Sequence, residues 1–128
     1  TWYALYVSTT GKASVPGPGG TILKPADEDV YLNQMTGDSN PWFYKYTFFD
    51  GSMVTGLAAE DVVAMEYDPS PSTMFLTILG TGNIAGHAVS QKDIFAINMP
   101  NHTWGGVVWH GPDHGWNYNI DAIDYPGW

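Results

Sequence analysis

The chain has 128 residues, with 13 acidic side chains against 4 lysines and no arginine, for a net charge of −9. Such a surface repels phosphate backbones and anionic lipid, which argues against nucleic-acid and membrane-surface roles. The absence of cysteine removes disulfides, thiol nucleophiles and thiolate metal sites together. At this length one domain, 1–128, can bury roughly two-thirds of its unfolded surface without such staples. An aromatic content of 15% separates the chain from disordered sequences. Its first residue is Thr1, and no apolar run approaches membrane-spanning length, so it reads as a secreted, extracellular protein after signal removal.

Trp2 to Ser8 alternates, with both faces apolar, and predicts a strand internal to a sheet. Thr9 to Gly20 is a turn-rich connector built on Pro16-Gly17-Pro18-Gly19-Gly20. Pro25 to Met35 predicts a helix. Pro25 suits its first position, Asp27, Glu28 and Asp29 match the helix dipole, Ala26, Val30, Leu32 and Met35 form a stripe, and Gly37 closes it. Trp42 to Phe49 is β-prone, and Asp50-Gly51 is a hairpin signal before Ser52-Met53-Val54-Thr55. Ala58 to Tyr67 leans towards helix, ended by Pro69 and Pro71. Thr73 to Leu79 predicts a strand, followed by a turn at Gly80-Thr81-Gly82-Asn83. Ser90 and Asp93 resemble a capping box opening a short helix that Pro100 stops. Val107 to His110 and Tyr118 to Ile123 are short strand candidates.

Chemistry concentrates between Asn101 and Asn119, N-H-T-W-G-G-V-V-W-H-G-P-D-H-G-W-N-Y-N. The stretch holds three of the four histidines and three of the six tryptophans. Flat apolar rings beside short polar groups suit a ligand with both an apolar face and many hydroxyls, which describes a sugar. The candidate glycan-binding residues are Trp104, Trp109, His110, Asp113, His114, Trp116, Asn117 and Tyr118. The plainer alternative is that the tryptophans are core of a Gly-rich β protein. Asn101-His102-Thr103 is an N-glycosylation acceptor, which places Asn101 on a surface loop. His110 and His114, with Asp113 between them, could converge on a metal. Gly111, Pro112 and Gly115 exclude the helical geometry that would face both rings the same way, so no metal or other cofactor is expected. No catalytic motif such as G-x-S-x-G or H-E-x-x-H is present, and the scattered acids identify no glycosidase pair. The expectation is a binding protein rather than an enzyme, with a small secreted hydrolase using a His/Asp site as the alternative.

The T-W-Y-A-L-Y-V opening, the length and the W-G-G-V-V-W-H-G block together resemble the small secreted mushroom lectins and fungal immunomodulatory proteins. The resemblance implies an α/β fold, a single-domain α/β/α sandwich with a mainly antiparallel sheet of about five strands. It also implies a homodimer formed by sheet extension, and binding to fucosylated or GalNAc/GlcNAc-containing N-glycan termini of glycoproteins. No binding residue transfers position by position. Periodicity alone supports mixed α and β structure with strands at both ends, and a mostly-β sandwich is the alternative fold.

Overall fold

The computed structural model describes residues 2–16, 20–24, 26–36 and 43–124. Within them the chain is mostly β, and the expected α-helices are absent. β1 (Trp2–Val7), β4 (Val30–Thr36) and β5 (Phe43–Phe49) form an antiparallel sheet in the order β1-β4-β5. A second antiparallel sheet runs β11-β10-β7-β6, built from β6 (Val62–Pro69), β7 (Ser72–Ile78), β10 (Asp93–Asn98) and β11 (Thr103–His110). Two small hairpins complete the described structure: β2 (Val15–Pro16) with β3 (Ile22–Leu23), and β8 (Thr81–Ile84) with β9 (His87–Ser90).

The core follows from strand alternation. Met74, Leu76 and Ile78 recur every second residue of β7 and are fully buried, as are Phe95 and Ile97 of β10. Val30 and Phe49 from the first sheet, Val54 just after one 3-10 turn and Leu57 at the start of the next, and Ile84 and Val89 from the β8–β9 hairpin close over that face. Full burial of each such side chain stabilises the fold by roughly 1.5–3 kcal/mol. Tyr6 of β1, Phe48 of β5 and Tyr67 of β6 meet edge to face or tilted, linking the two sheets, with ring centroids 4.6–5.6 Å apart.

Several expectations are corrected. The α/β/α sandwich gives way to the mostly-β alternative. The helix over Pro25–Met35 is a turn at Asp27–Glu28 followed by strand β4; Pro25 and Gly37 lie outside the described residues. Its local signal is outcompeted because the Asp29 carboxylate accepts from the Ala26 and Gly51 N–H groups at 3.1 and 3.0 Å, folding the turn back on itself. Tyr31 to Gln34 then pairs with a strand on either side, and tertiary pairing overrides helix propensity. β1 is a terminal strand of its sheet, not an internal one. Gly17 to Gly19 and Trp42 fall outside the described residues. Asp50-Gly51 opens a 3-10 turn, Gly51–Met53, in place of a hairpin, because the Asp50 side chain accepts from Ser52 N–H at 3.0 Å. Of the second expected helix, Ala58 to Tyr67, only Ala58 and Ala59 are helical, in the 3-10 turn Leu57–Ala59, and Val62 to Tyr67 belong to β6.

Ser90 and Asp93 do make the capping contact, Ser90 N–H donating to the Asp93 carboxylate at 2.8 Å, but around a tight β9–β10 turn. Of the turn expected at Gly80–Asn83 only Gly80 bends, at φ 70°, while Thr81 to Asn83 lie in β8; a separate turn at Ala85-Gly86, with φ values of 51° and 85°, gives the left-handed pair that the two-residue β8–β9 hairpin needs. The Val107–His110 strand is present within the longer β11. No strand forms among the described residues after His110.

Candidate functional site

β11 is the terminal strand of its sheet and carries two bulges. Ala96 pairs with Gly106 and Ile97 with Trp104, leaving Gly105 as an extra residue; Phe95 pairs with Val107 and Ile94 with Trp109, leaving Val108. Bulges re-aim side chains on a strand. Trp104 therefore faces the core, half-buried, with His87 stacked on it at 4.5 Å and Phe95 at 5.6 Å. This tryptophan belongs to the scaffold.

Trp109 pairs with Ile94, on the sheet face away from the core. His114 folds back over it with ring centroids 4.0 Å apart and planes 6° from parallel. A 3-10 turn, Gly111–His114, makes this possible: Pro112 fits its first turn, where no N–H is needed, and Gly115 ends it at φ 73°. Gly111 has no tolerable replacement with a side chain, because a Cβ there would stand 2.6 Å from the Trp116 carbonyl. Trp116 N–H donates to the Gly111 carbonyl at 2.9 Å, which fixes where the chain leaves the turn.

From Asn117 to Asp124 the chain runs back along the sheet without regular structure. Buried Gln91 anchors it, its backbone carbonyl accepting from Ile120 N–H at 2.8 Å and its side-chain amide donating to the Ile120 carbonyl at 3.2 Å. Lys92 donates to the Asn117 side chain at 2.7 Å. The result is an open groove of about 430 Å3 lined by Ile94, Trp109, Trp116, Asn119, Ile120, Asp121 and Ala122. Trp116 is 49% exposed and meets Tyr118, 68% exposed, edge to face at 5.4 Å.

His110 points the other way, since adjacent strand residues face opposite sides of a sheet. Its Nδ1 forms a very short hydrogen bond with the Asp93 carboxylate, which is almost fully buried while the imidazole remains 45% exposed. That hydrogen bond raises the His110 pKa above its ordinary value, with the charges of Asp93 and Asp113 adding smaller contributions. The pair lines a separate, wider concavity of about 500 Å3 with Thr81, Gly82, Ala88, Val89 and Ser90.

The predicted residues thus divide. Trp109 and Trp116 share one groove, with Tyr118 on the Trp116 ring. Asn117 is held by Lys92, and His114 is held by Trp109. Asp113 is exposed in the 3-10 turn and lines neither concavity, Trp104 is scaffold, and His110 serves the other side. His110 and His114 have different partners, and no group of three or more metal-ligating side chains converges among the described residues. Asn101 is exposed in the turn before β11. The sequence reading missed Asn119 and Asp121. The polar–apolar alternation from Asn117 to Asp121 was their signal, and it was assigned to a strand. No family model, curated protein or solved structure matches the chain.

Proposed function

We propose that the chain is a secreted glycan-binding module, whose sugar lies in the groove between Trp109 and Trp116. The observation that carries this reading is the groove's composition: two indoles, one of them half exposed, beside Asn119 and Asp121. A sugar's C–H face can lie on an indole while Asn and Asp satisfy its hydroxyls, and charged acceptors make the stronger hydrogen bonds. The volume falls within the range of roughly 300–1,000 Å3 typical of small-ligand sites. N-glycan termini remain the favoured class, fucosylated or carrying GalNAc or GlcNAc. The reading extends to a glycan on Asn101 and to a homodimer paired through the edge of β11 that no other described strand occupies. Intact mass and light scattering decide those two points. Glycan-array screening tests the main one: the wild-type chain should select a sugar that Trp116→Ala and Asp121→Asn each bind about 1–3 kcal/mol more weakly. Undiminished binding by both variants would place the site elsewhere.

A second reading rests on the Asp93–His110 pair, an arrangement that in hydrolases orients a general base. Ser90, the hydroxyl nearest in sequence, bonds to the Asp93 carboxylate, so among the described residues the base would have to act on water. Ester or glycoside turnover abolished by His110→Ala, and untouched by Trp116→Ala, would favour it.

A further inference from the structure

Four consecutive residues, Ser90 to Asp93, turn β9 into β10 and divide their contacts between the two concavities. Ser90 and Asp93 serve the His110 side. The Asp93 carboxylate accepts from the Ser90 N–H at 2.8 Å and from its hydroxyl at 3.4 Å, and it holds the His110 Nδ1. The Ser90 hydroxyl in turn accepts from the Lys92 N–H at 3.1 Å. Gln91 and Lys92 serve the groove side. Gln91 makes two hydrogen bonds with Ile120 of the groove wall, and the Lys92 ammonium holds Asn117. The Lys92 carbonyl also accepts from the Gly111 N–H at 2.9 Å, and the Gly111 carbonyl receives the Trp116 N–H. Each residue that fixes Asp93 is therefore one peptide bond from a residue that fixes the groove.

The proton on His110 bears on this turn directly. Asp93 and His110 face one another across the β10–β11 ladder. Charging the ring strengthens a hydrogen bond that already ends on a carboxylate, and so tightens the hold on Asp93. The charges acting on the ring among the described residues are acids: Asp93 from β10 and Asp113 from the 3-10 turn. β8 and β9 face it with the uncharged lining already named, and the Glu60 carboxylate packs behind Gly82, where a Cβ would stand 2.5 Å from it. All three acids favour the charged ring. His114 lies on the other side, stacked on Trp109.

We propose that the groove is regulated by a proton from the opposite face of the sheet. Charging His110 tightens the Ser90–Asp93 turn through Asp93, and the turn then holds Ile120 and Asn117 in the sugar-binding arrangement. The sugar half of this switch rests on the glycan reading above; the mechanical coupling does not. Coupling between two ligands is reciprocal, so a sugar that favours the tightened turn raises the His110 midpoint by the factor through which the proton raises sugar affinity.

The test is an NMR titration of the full chain between about pH 5 and pH 8.5, spanning the imidazole range, in the wild type and in His110→Gln. In the wild type the Ile120 amide and the Trp116 indole N–H should move with the same midpoint as the His110 ring. Ile120 protection from hydrogen exchange, corrected for the intrinsic rate, should fall about five-fold or more towards the alkaline limb, the low end of typical couplings. Trp109 is left out of the readout because the His114 imidazole stacked on it carries its own proton. In His110→Gln the Ile120 and Trp116 inflections should vanish. The wild-type titration decides alone, and the variant assigns the inflection to His110. N-acetylglucosamine and methyl α-L-fucoside represent the favoured termini. One of them should bind about five-fold more tightly below the midpoint than above it, and at saturation raise that midpoint by about 0.7 pH. Ile120 and Trp116 unmoved through the His110 transition, their inflections kept in His110→Gln, or equal sugar affinity on both sides of the midpoint would each overturn the proposal. Coupled resonances with neither sugar bound at any pH would support the switch and overturn the glycan reading instead.

Discussion

Trp104 and Trp116 stand twelve residues apart in one motif and do different work. Trp104 is sandwiched by His87 and Phe95 against the core, so Trp104→Ala should cost about 2–3 kcal/mol in urea unfolding, somewhat less than for a fully buried aromatic. Trp116→Ala removes a half-exposed ring and should stay within about 0.5 kcal/mol of wild type, as surface substitutions do. His110 offers an independent check on the opposite side. Its pKa is raised in the folded protein, so its contribution to stability is present below the ordinary imidazole pKa and is lost as pH rises through the raised one. A proton NMR titration should show His110 titrating above its ordinary value, and Asp93→Asn should move it back down. An unmoved midpoint in that variant would remove the hydrogen bond as the cause.

At the scale of elements, the groove depends on a strut. Gln91 binds the Gly80 N–H through its side-chain oxygen at 3.2 Å and Ile120 through its amide, so one buried side chain joins β7's exit to the groove wall. Gln91→Ala should cost about 1–3 kcal/mol, the range for orphaning buried polar groups, and hydrogen exchange at Ile120 should accelerate. Unchanged protection there would show that the wall is held by something else. The strands were legible from alternation in β1 and from aromatic or β-branched content in β5 and β7. Asp27 to Asp29 misled because acids that favour a helix start equally favour a turn, and only the distant Gly51 N–H decides between them. In the site, the indoles were visible as a cluster, but the direction of each was not. The bulges at Gly105 and Val108 set those directions, and they depend on β10, which a local pattern does not contain.

For the whole molecule, charge sets the response to pH. Glu28, Asp29 and Glu66 have raised pKa values from burial, and Asp61 from its hydrogen bond with Asp27, which is itself lowered by the same contact. A raised group stabilises the fold below its unfolded pKa and loses that contribution as pH rises, and His110 has the same sign; among the described residues Asp27 opposes it. With −9 net charge adding self-repulsion, the Tm should be higher near pH ~5 than near pH ~8, and differential scanning calorimetry at constant ionic strength checks this. A Tm that climbs towards alkaline pH would contradict the assignment. The central claim concerns the aromatic groove, and the indole N–H resonances read it most directly. On titration with the best sugar from the array, Trp109 and Trp116 should shift while Trp104 stays in place. A saturable shift at Trp104 with Trp109 and Trp116 unmoved would contradict the account.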